Sequence, residues 1–479
     1  MTVLFPRRTA AVWAGAVALV LLSPVAAQAQ LRVATWNISN YADTTQTGNR
    51  TNALKTAIYG AFNGRSMAPD VFLGQEFHGQ AAVDNFIILL NTASGSPGDW
   101  AAGKYEAGLT YEGDESDTAF FYRKSKVNAP TSTIIAHADG TDGQPRDTVR
   151  YDLTLKGYAG TAPALSIYSV HLKSSSSDNA RRLVETTRIR DDAETLGRPF
   201  LIGGDMNVQS SGQTAYQELV GSQTNDAGRF VDPINTPGAW NNNPAFSHVH
   251  TQDPNGAGGM DDRHDQILLS TGLADRKGFD YIGNANQTMT SPTDANHSYR
   301  AWGNDGASYG ADLRTTGNTM VGPTIAQALK DVALNGGHLP IFLDLRTPAE
   351  LAASTATIDF GTVQQGSDAT ESFSVFNGVD ASIWTSAGVA ELLYSMQAGG
   401  AFSVPDGFFT DFAGGGVNGH LVTLDTSTMG FKTGTLNLFD DGVLARTIAL
   451  QANVVPEPVG VAVIGVAALA LLSRRRRGA

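Results

Sequence analysis

The sequence contains no cysteine. A disulfide framework, a thiolate nucleophile and a cysteine-ligated zinc site are therefore excluded, and any metal must be held by oxygen or nitrogen ligands. Such ligands favour magnesium or manganese, with calcium as a further candidate. Charge is also scarce: 16% of the 479 residues are charged, and 46 acids outnumber 33 bases. An acidic chain gains no long-range attraction for a polyanion, so nucleic acid binding would depend on a local metal and a few arginines.

Long apolar runs are restricted to the two ends of the chain. Arg7 and Arg8 precede an apolar run from Ala10 to Leu22, and Ala27-Gln28-Ala29 forms a small-x-small cleavage site. This pattern is typical of a secretory signal peptide over residues 1–29. We therefore expect an exported mature protein that begins near Gln30.

The C-terminal run, Val459 to Leu472, is followed by four arginines, Arg474 to Arg477. It is shorter than the roughly 20 residues that a permanent span needs, and the arginines are expected to stay cytoplasmic. A plain membrane tail after a proline-rich linker would have the same composition. However, Pro456-Glu457-Pro458, the apolar run and the arginine cluster occur in that order, which resembles the PEP-CTERM sorting signal of exosortase-bearing Gram-negative bacteria.

That resemblance assigns residues 454–479 to a sorting tail with a transient membrane segment. It implies an exosortase-type machinery as a partner. It also implies that the mature protein resides in the periplasm, on the outer surface or in the extracellular matrix.

Residues 30–347 alternate short apolar strands with helical stretches, which indicates an α/β domain. A helix is predicted over Asp178 to Leu196, after a run of serines that can cap it, and another over Thr324 to Leu334. The predicted strands are Leu31 to Ile38, Asp70 to Gln75, Thr118 to Arg123, Thr148 to Leu155, Ala164 to His171, Pro199 to Gly203, Asp265 to Leu269 and Leu339 to Leu345.

After Pro348 the sequence becomes rich in Thr, Ser, Gly, Phe and Val, in short alternating segments. Short strands separated by turn residues predict an all-β, immunoglobulin-like sandwich over residues 354–453. It carries no catalytic constellation, so it is interpreted as a spacer or as a module that binds a cell-surface or matrix polymer. The predicted strands are Thr357 to Phe360, Glu371 to Phe376, Leu421 to Leu424, Gly434 to Phe439 and Ala445 to Ala452.

A stretch rich in Asn, Gly and Pro, from Asn235 to Asp262, predicts a long loop. It contains His248-Val249-His250. These histidines could form a metal pair, although a His-x-His in a loop or edge strand is more often a surface feature.

Seven polar motifs close strands of the first domain in a fixed order. The order resembles that of the endonuclease/exonuclease/phosphatase superfamily, the fold of pancreatic-type deoxyribonuclease. The resemblance covers residues 31–346 and implies a monomer in which a two-sheet β-sandwich is flanked by helices in four layers. The motifs are Trp36-Asn37, Gly74-Gln75-Glu76, Arg146, His171-Leu172-Lys173-Ser174, Gly204-Asp205-Met206-Asn207, Asp265-Gln266 and His338-Leu339-Pro340.

Strand-end carboxylates that converge on one face can hold a hard divalent cation. Glu76 ends a buried strand and is the predicted main ligand. Asn37 ends the neighbouring strand, and its amide can ligate the metal, position a phosphate oxygen or hydrogen-bond a catalytic carboxylate.

The resemblance implies roles for six further residues. Asp205 would orient and help deprotonate the attacking water, and Asn207 would bind the scissile phosphate. Arg146 would clamp the phosphate with its planar donor fork. His171 and His338 would flank the phosphate and handle protons or charge, and Asp265 would orient and charge His338. Asp117 or Glu115 could serve as the acidic partner of His171.

One position departs from the family pattern. Relatives carry Asp immediately before the final histidine as a metal ligand, whereas this chain has Gly337. Gly336 fits the end of the preceding helix. The missing carboxylate implies a weaker metal site, replacement by Asp261, Asp262 or a water, or lost catalysis.

The predicted function is a metal-dependent phosphodiesterase with nucleic acid as substrate. The motif His-Leu-Lys-Ser favours a nuclease, because it resembles secreted bacterial nucleases. Alternatives are a phosphatase or lipid phosphodiesterase on the same fold and a catalytically retired surface binding protein. The basic residues Lys173, Arg181, Arg182, Arg188 and Arg190 could contact backbone phosphates, or could form a solvated helix face interleaved with Glu185 and Asp191.

Overall fold

The computed structural model describes residues 31–42, 48–107, 118–136 and 146–457. The predicted signal peptide, residues from 458 onward in the predicted sorting tail, and the candidates Glu115 and Asp117 lie outside the described residues. Within the described ranges, no helix combines the length and the apolar character that crossing a membrane requires.

The first part of the chain contains fifteen described strands and five α-helices. The strands are β1 (Leu31–Tyr41), β2 (Val71–Phe77), β3 (Trp100–Ala102), β4 (Thr118–Arg123), β5 (Thr131–Ala136), β6 (Thr148–Thr154), β7 (Ala164–His171), β8 (Phe200–Asp205), β9 (Phe230–Val231), β10 (Gln252–Asn255), β11 (Asp265–Ser270), β12 (Asp280–Tyr281), β13 (Arg300–Ala301), β14 (Gly336–His338) and β15 (Ile341–Arg346). The helices are α1 (Gly48–Tyr59), α2 (Gln80–Thr92), α3 (Asn179–Ala193), α4 (Thr214–Val220) and α5 (Gly322–Val332).

Two sheets pack face to face. One has the order β12-β15-β1-β2-β4-β3, with β13 also paired to β15, and the other has the order β5-β6-β7-β8-β11-β9. The pairs β1–β2 and β7–β8 are parallel, so within each sheet the carboxyl ends of the two strands lie at the same edge. Alternating apolar side chains from both sheets, such as Val33, Leu73 and Ile167, fill the space between them.

Helices cover the outer faces. Residues of α1, α2 and α5 pack on the first sheet, and residues of α3 and α4 pack on the second. The result is the predicted four-layer arrangement, with helices outside and two sheets inside. The predicted fold class is therefore confirmed.

The predicted strand Leu339 to Leu345 is divided in the structure. Pro340 has no N–H to donate to a ladder, and the chain changes partner at this residue. Before it, β14 pairs with β10; after it, β15 pairs with β1. His338 is consequently carried on a small separate ladder rather than on the main sheet.

The C-terminal region is all-β, as predicted. A sheet with the order β16-β18-β22-β20 faces a sheet with the order β17-β24-β23-β19-β21, around a separate apolar core. The strands are β16 (Leu351–Ala353), β17 (Thr357–Gln364), β18 (Thr370–Asn377), β19 (Leu392–Ala398), β20 (Phe402–Ser403), β21 (Phe408–Asp411), β22 (Asn418–Leu424), β23 (Gly430–Asp440) and β24 (Val443–Val455).

A tryptophan joins this sandwich to the first sheets. Trp384 is fully buried, and its Nε1 donates a hydrogen bond to the carbonyl oxygen of Lys156 at 2.6 Å. Its ring packs in the apolar core between the first two sheets, and Lys126 Nζ lies 5.1 Å from its centroid. The two parts of the chain therefore share buried apolar contacts.

Candidate active site

The second sheet brings three of the predicted residues side by side. Asp205 at the end of β8 lies opposite His171 of parallel β7 and opposite Asp265 of antiparallel β11. All three are at least 95% buried. Strand register alone therefore places two carboxylates and an imidazole at one edge of the sheet.

Gly204 permits this close packing. Its φ is +154°, and a Cβ at this position would lie 1.8 Å from the carbonyl oxygen of Val170. Any side chain here would force β7 and β8 apart, which would separate His171 from Asp205. The glycine before Asp205 is thus required by the backbone.

The two histidines flank a single carboxylate. His171 Nε2 lies 3.4 Å from Asp205 Oδ2, and His338 Nε2 lies 3.7 Å from the same oxygen. On its other side, His338 Nδ1 lies 2.8 Å from Asp265 Oδ2, which also accepts a hydrogen bond from Thr251 Oγ1 at 2.7 Å. The imidazole of His338 is therefore oriented through Nδ1 by Asp265, while its Nε2 faces Asp205.

The surroundings shift the pKa values of the two histidines in opposite directions. Burial alone would lower the pKa of His338, but the charges of Asp265 and Asp205 raise it to about 10. Burial and the nearby charge of Arg146 lower the pKa of His171. Burial would raise the pKa of Asp205, but His338 and His171 outweigh burial and lower it. At neutral pH the site thus contains an imidazolium, a neutral imidazole and a carboxylate between them.

The first sheet contributes Asn37 and Glu76. Asn37 Nδ2 donates to Glu76 Oε1 at 2.8 Å and to Asp205 Oδ2 at 3.2 Å, so one amide group bridges two carboxylates from different sheets. Glu76 Oε2 accepts a hydrogen bond from the backbone N–H of Asn40 at 2.8 Å. Glu76 has a φ of +62°, a conformation that costs free energy for a non-glycine residue and is held by these contacts.

The amide of Asn37 presents its nitrogen, not its oxygen, to the carboxylates. Its Oδ1 accepts a hydrogen bond from the backbone N–H of Ser39 at 3.0 Å. Of the three roles predicted for Asn37, this orientation matches hydrogen bonding to a catalytic carboxylate. Direct ligation of a metal by Asn37 would require a rotation of the amide that exchanges the positions of Oδ1 and Nδ2.

The donor chemistry at Glu76 suits a hard cation. Each Glu76 oxygen accepts one hydrogen bond and retains further acceptor capacity. In the described parts of the chain, no three His, Asp or Glu side chains form a ready-made metal cage. Magnesium does not require one, since it commonly binds through one or two carboxylates and keeps several waters. Glu76, with Asp205 across the Asn37 bridge, fits that mode.

The backbone conformation at position 337 explains why this residue is glycine. Its φ is +69°, and a Cβ at this position would lie 2.7 Å from Ala333 Cβ and 2.9 Å from Ala333 Cα. An aspartate side chain at this position would not fit without displacement of Ala333. Of the predicted substitutes, Asp262 Oδ1 accepts a hydrogen bond from Asn241 and lies 3.8 Å from His264 Nε2.

The predicted phosphate-binding residues lie beside His171. Arg146 donates through NH1 to the carbonyl oxygen of Leu172 at 3.3 Å and through NH2 to Ser174 Oγ at 3.4 Å. Asn207, with a φ of +51°, donates through Nδ2 to the same carbonyl oxygen of Leu172 at 2.9 Å. Both side chains are thus held against the His171-Leu172-Lys173-Ser174 segment.

Two predicted interpretations of α3 and of the long loop require correction. Arg182 and Arg190 are fully buried and donate to backbone carbonyls, including those of Lys173 and Leu219, so they do not form a phosphate-binding surface. His248 and His250 each place Nε2 2.9 Å from a backbone carbonyl oxygen, of Met289 and Trp240 respectively. His250 is buried and His248 is half-buried, so the pair is not a fully exposed surface feature, and one ring nitrogen of each is engaged by the backbone.

Sequence reasoning missed two acids at this site. Glu185, interpreted as a possible solvated acid, is fully buried and accepts hydrogen bonds from the backbone N–H groups of Arg146 and Lys173. Asp253, with a φ of +62°, lies near His338; burial raises its pKa to about 6, with Asp261 and Asp262 adding to the rise. Helical periodicity could have placed Glu185 on the buried face with Ile189, but no local signal distinguishes Asp253.

The sequence matches the Endonuclease/Exonuclease/phosphatase family over residues 34–286, which is more than half of the chain. Among curated proteins, none matches the sequence.

Solved structures with a similar arrangement include three whose sequences differ widely from this one. The catalytic domain of human Nocturnin with bound sulfate has 14% identity and a TM-score of 0.37, over 66% of this chain and 93% of that one. A mannosyl-6-phosphatase from Bacteroides thetaiotaomicron has 17% identity and a TM-score of 0.36, over 66% and 99%. An endonuclease/exonuclease/phosphatase from Beutenbergia cavernae has 14% identity and a TM-score of 0.35, over 88% and 100%.

Proposed function

Because this chain belongs to the endonuclease/exonuclease/phosphatase family, whose members are hydrolytic phosphoesterases that generally use divalent metal ions, we propose that it is a metal-dependent nuclease. The observation that carries the proposal is the pair of imidazoles on either side of Asp205, with pKa values shifted in opposite directions. Two titratable groups separated in this way can serve as proton acceptor and proton donor at the same pH.

In the proposed reaction a water attacks the phosphorus and the bond to the leaving oxygen breaks. Asp205 orients this water, and neutral His171 accepts the proton that the water loses. The imidazolium of His338, held by Asp265, donates a proton to the leaving oxygen. Arg146 holds a non-bridging phosphate oxygen with its guanidinium fork and stabilises the added charge.

Glu76 would hold the divalent cation, proposed to be magnesium or manganese, with calcium as a further possibility. When bound, the cation supplies charge neutralisation for the phosphate oxygens. The Asn37 amide keeps the Glu76 carboxylate close to Asp205. Loss of either hydrogen bond of the Asn37 amide would separate the Glu76 carboxylate from Asp205.

Nucleic acid is the proposed substrate because His171-Leu172-Lys173-Ser174 resembles the corresponding motif of secreted nucleases. The test is to incubate the purified protein with supercoiled plasmid, RNA, phospholipid and a phosphomonoester, each with magnesium, manganese, calcium or a chelator. Metal-dependent cleavage of plasmid or RNA supports the proposal. Phospholipid or phosphomonoester turnover alone would support the other phosphoesterase activities, and no turnover with any metal would support a retired binding protein.

We further propose that the protein acts outside the inner membrane, after a signal peptidase and an exosortase-type protease have removed the two ends. The sequence patterns of residues 1–29 and 454–479 support this. Intact-mass analysis of surface material should show that both ends are absent. Recovery of the full chain from the cytosol would contradict the proposal.

A further inference from the structure

A cavity of about 660 Å³ lies at the end of the first sheet remote from the candidate active site. Arg32 at the start of β1 and Asp70 just before β2 line it, whereas Asn37 and Glu76 lie toward the opposite ends of these strands. The five residue-to-residue steps from Arg32 to Asn37 span roughly 17 Å of strand. The cavity is therefore separate from the catalytic constellation.

The charge of the cavity lining is opposite in sign to the net charge of the whole chain. The protein as a whole has a formal net charge of −13. The lining, however, contains five cationic side chains and only two carboxylates. The cations are Arg32, Arg65, Arg123, Lys126 and Arg300, and the acids are Asp70 and Asp344.

Three of these cations have a structural role. Arg32 makes two hydrogen bonds to Asp344, at 2.7 and 2.9 Å. Lys126 Nζ lies 2.9 Å from Asp70 Oδ2, and Arg123 pairs with both Asp70 and Asp99. These pairs neutralise both acids of the lining and fasten strand ends of the first sheet.

The other two, Arg65 and Arg300, pair with no carboxylate in the part of the chain that the structure describes. Arg300 donates only to the backbone carbonyls of His297 and Tyr299, each at 2.6 Å, and of Asp294 at 3.2 Å. Arg65 donates through NH2 to the carbonyl of Thr319 at 3.2 Å. Carbonyl contacts orient a guanidinium but do not pair it directly with a carboxylate.

The guanidiniums of Arg65 and Arg300 also affect each other. Burial lowers the pKa of Arg300 below its ordinary value; the nearby Tyr281 and Asp344 oppose this shift, and the charge of Arg65 adds to it. Two like charges at one cavity wall repel, and an anion between them would relieve that repulsion. A phosphate monoester carries close to two negative charges near neutral pH, which matches the pair.

The rest of the cavity lining is apolar enough to pack against the ring of a small molecule. Tyr59, Pro69, Pro97 and Trp302 contribute apolar surface to the lining. Small-molecule sites are typically cavities of roughly 300 to 1,000 Å³ that combine such surfaces with a few placed polar groups. We propose that this cavity is a binding site, separate from the catalytic centre, for a small phosphate monoester that carries a ring, held through Arg65 and Arg300.

The test is titration calorimetry of the full mature chain with AMP, adenosine and inorganic phosphate, in the presence of a chelator so that metal-dependent turnover is absent. AMP should bind, phosphate should bind more weakly, and adenosine should not bind. Loss of one charge-assisted contact should weaken AMP binding about tenfold or more in Arg65→Ala. The matched control Arg229→Ala, a partly exposed arginine elsewhere, should bind AMP normally.

A second comparison separates this site from the catalytic centre. His338→Ala should bind AMP as well as the unchanged protein does, while Arg65→Ala should retain plasmid cleavage and its melting temperature. AMP binding that survives both Arg65→Ala and Arg65→Glu, or that disappears in His338→Ala, would overturn the proposal. So would the absence of saturable binding, or binding of adenosine as tight as that of AMP.

Discussion

The carboxylate of Glu185 lies directly behind Arg146: its Oε1 accepts a hydrogen bond from the Arg146 backbone N–H at 2.7 Å. Its second oxygen accepts one from the backbone N–H of Lys173 at 3.1 Å. A single buried side chain from α3 thus fixes two backbone segments on either side of His171. Glu185 is a positioning residue, since it reaches the phosphate site only through its neighbours.

We expect Glu185→Ala to lower kcat more than it raises KM, because Arg146 and Lys173 would lose their shared anchor. Two buried N–H groups would lose their acceptor, at a cost of about 1–3 kcal/mol each in the free energy of unfolding. Glu185→Gln should recover part of both losses. Asp191→Asn, at an exposed position of the same helix, is the control. Unchanged kinetics in Glu185→Ala would show that Glu185 does not position the phosphate-binding residues.

Glu185 should also make stability depend on pH. Burial raises its pKa to about 7 from an ordinary value of 4.5. Between these values the folded protein holds a proton that the unfolded chain has lost, so the free energy of unfolding should fall as pH rises from about 4.5 to 7. In denaturant titrations at several pH values, Glu185→Gln should show a flatter curve over that window. Parallel curves would mean that other groups dominate.

Asp265 should set the protonation of His338. His338→Ala should lose about 10² to 10⁴ in rate, the usual contribution of a general acid or base. Asp265→Asn removes a charge that raises the pKa of His338, so the alkaline limb of the pH dependence of kcat/KM should move to lower pH. Activity lost at neutral pH should be partly recovered in more acidic buffer. A uniform loss at every pH would instead indicate damage to packing.

Glu76 should be indispensable for metal-dependent turnover. A chelator should abolish activity, and added magnesium or manganese should restore it in the unchanged protein. In Glu76→Gln the same additions should fail, because a neutral amide replaces the carboxylate that fits the cation. Glu391→Gln, at an exposed acid of the C-terminal sandwich, should respond as the unchanged protein does. Full restoration of Glu76→Gln by high metal would assign the cation to other ligands.

Trp384 should hold the two parts of the chain together. Truncation of a buried tryptophan typically costs about 3–5 kcal/mol. Trp384→Ala should therefore lower the melting temperature, or split one unfolding transition into two, while kcat stays near normal because all candidate catalytic residues precede Pro348. The control Phe408→Ala, at a side chain that is 73% exposed, should change neither quantity. A single unshifted transition in Trp384→Ala would show that the contact is dispensable.

The structure also reverses one expectation about Gly337. The family resemblance implied that an aspartate in place of Gly337 would strengthen the metal site. The φ of +69° and the 2.7 Å approach to Ala333 make the opposite outcome the expected one. A side chain there strains the backbone, so Gly337→Asp should destabilise the protein instead of improving metal affinity.

The sequence by itself predicted the central strands of the first domain and two of its helices, α3 and α5, in the order that the structure has. It did not predict α1, α2, α4 or the short strands at the sheet edges. Apolar alternation marks β4 and β7 with the bounds that the structure has, and the change in composition after Pro348 marks the all-β region. These features depend on local periodicity, which residues near in sequence specify. The order of the motifs was likewise sufficient to identify the family resemblance and the candidate residues.

Only the tertiary structure determined which of those residues contact one another and how they shift one another's pKa values. The amide of Asn37 bridges Glu76 and Asp205 because two sheets meet there. No local pattern encodes a contact between positions that are 168 apart in the sequence. Pairing β14 with β10 carries His338 off the main sheet. Opposite pKa shifts at His171 and His338 arise because charge and burial act through space, and sequence spacing does not measure those distances.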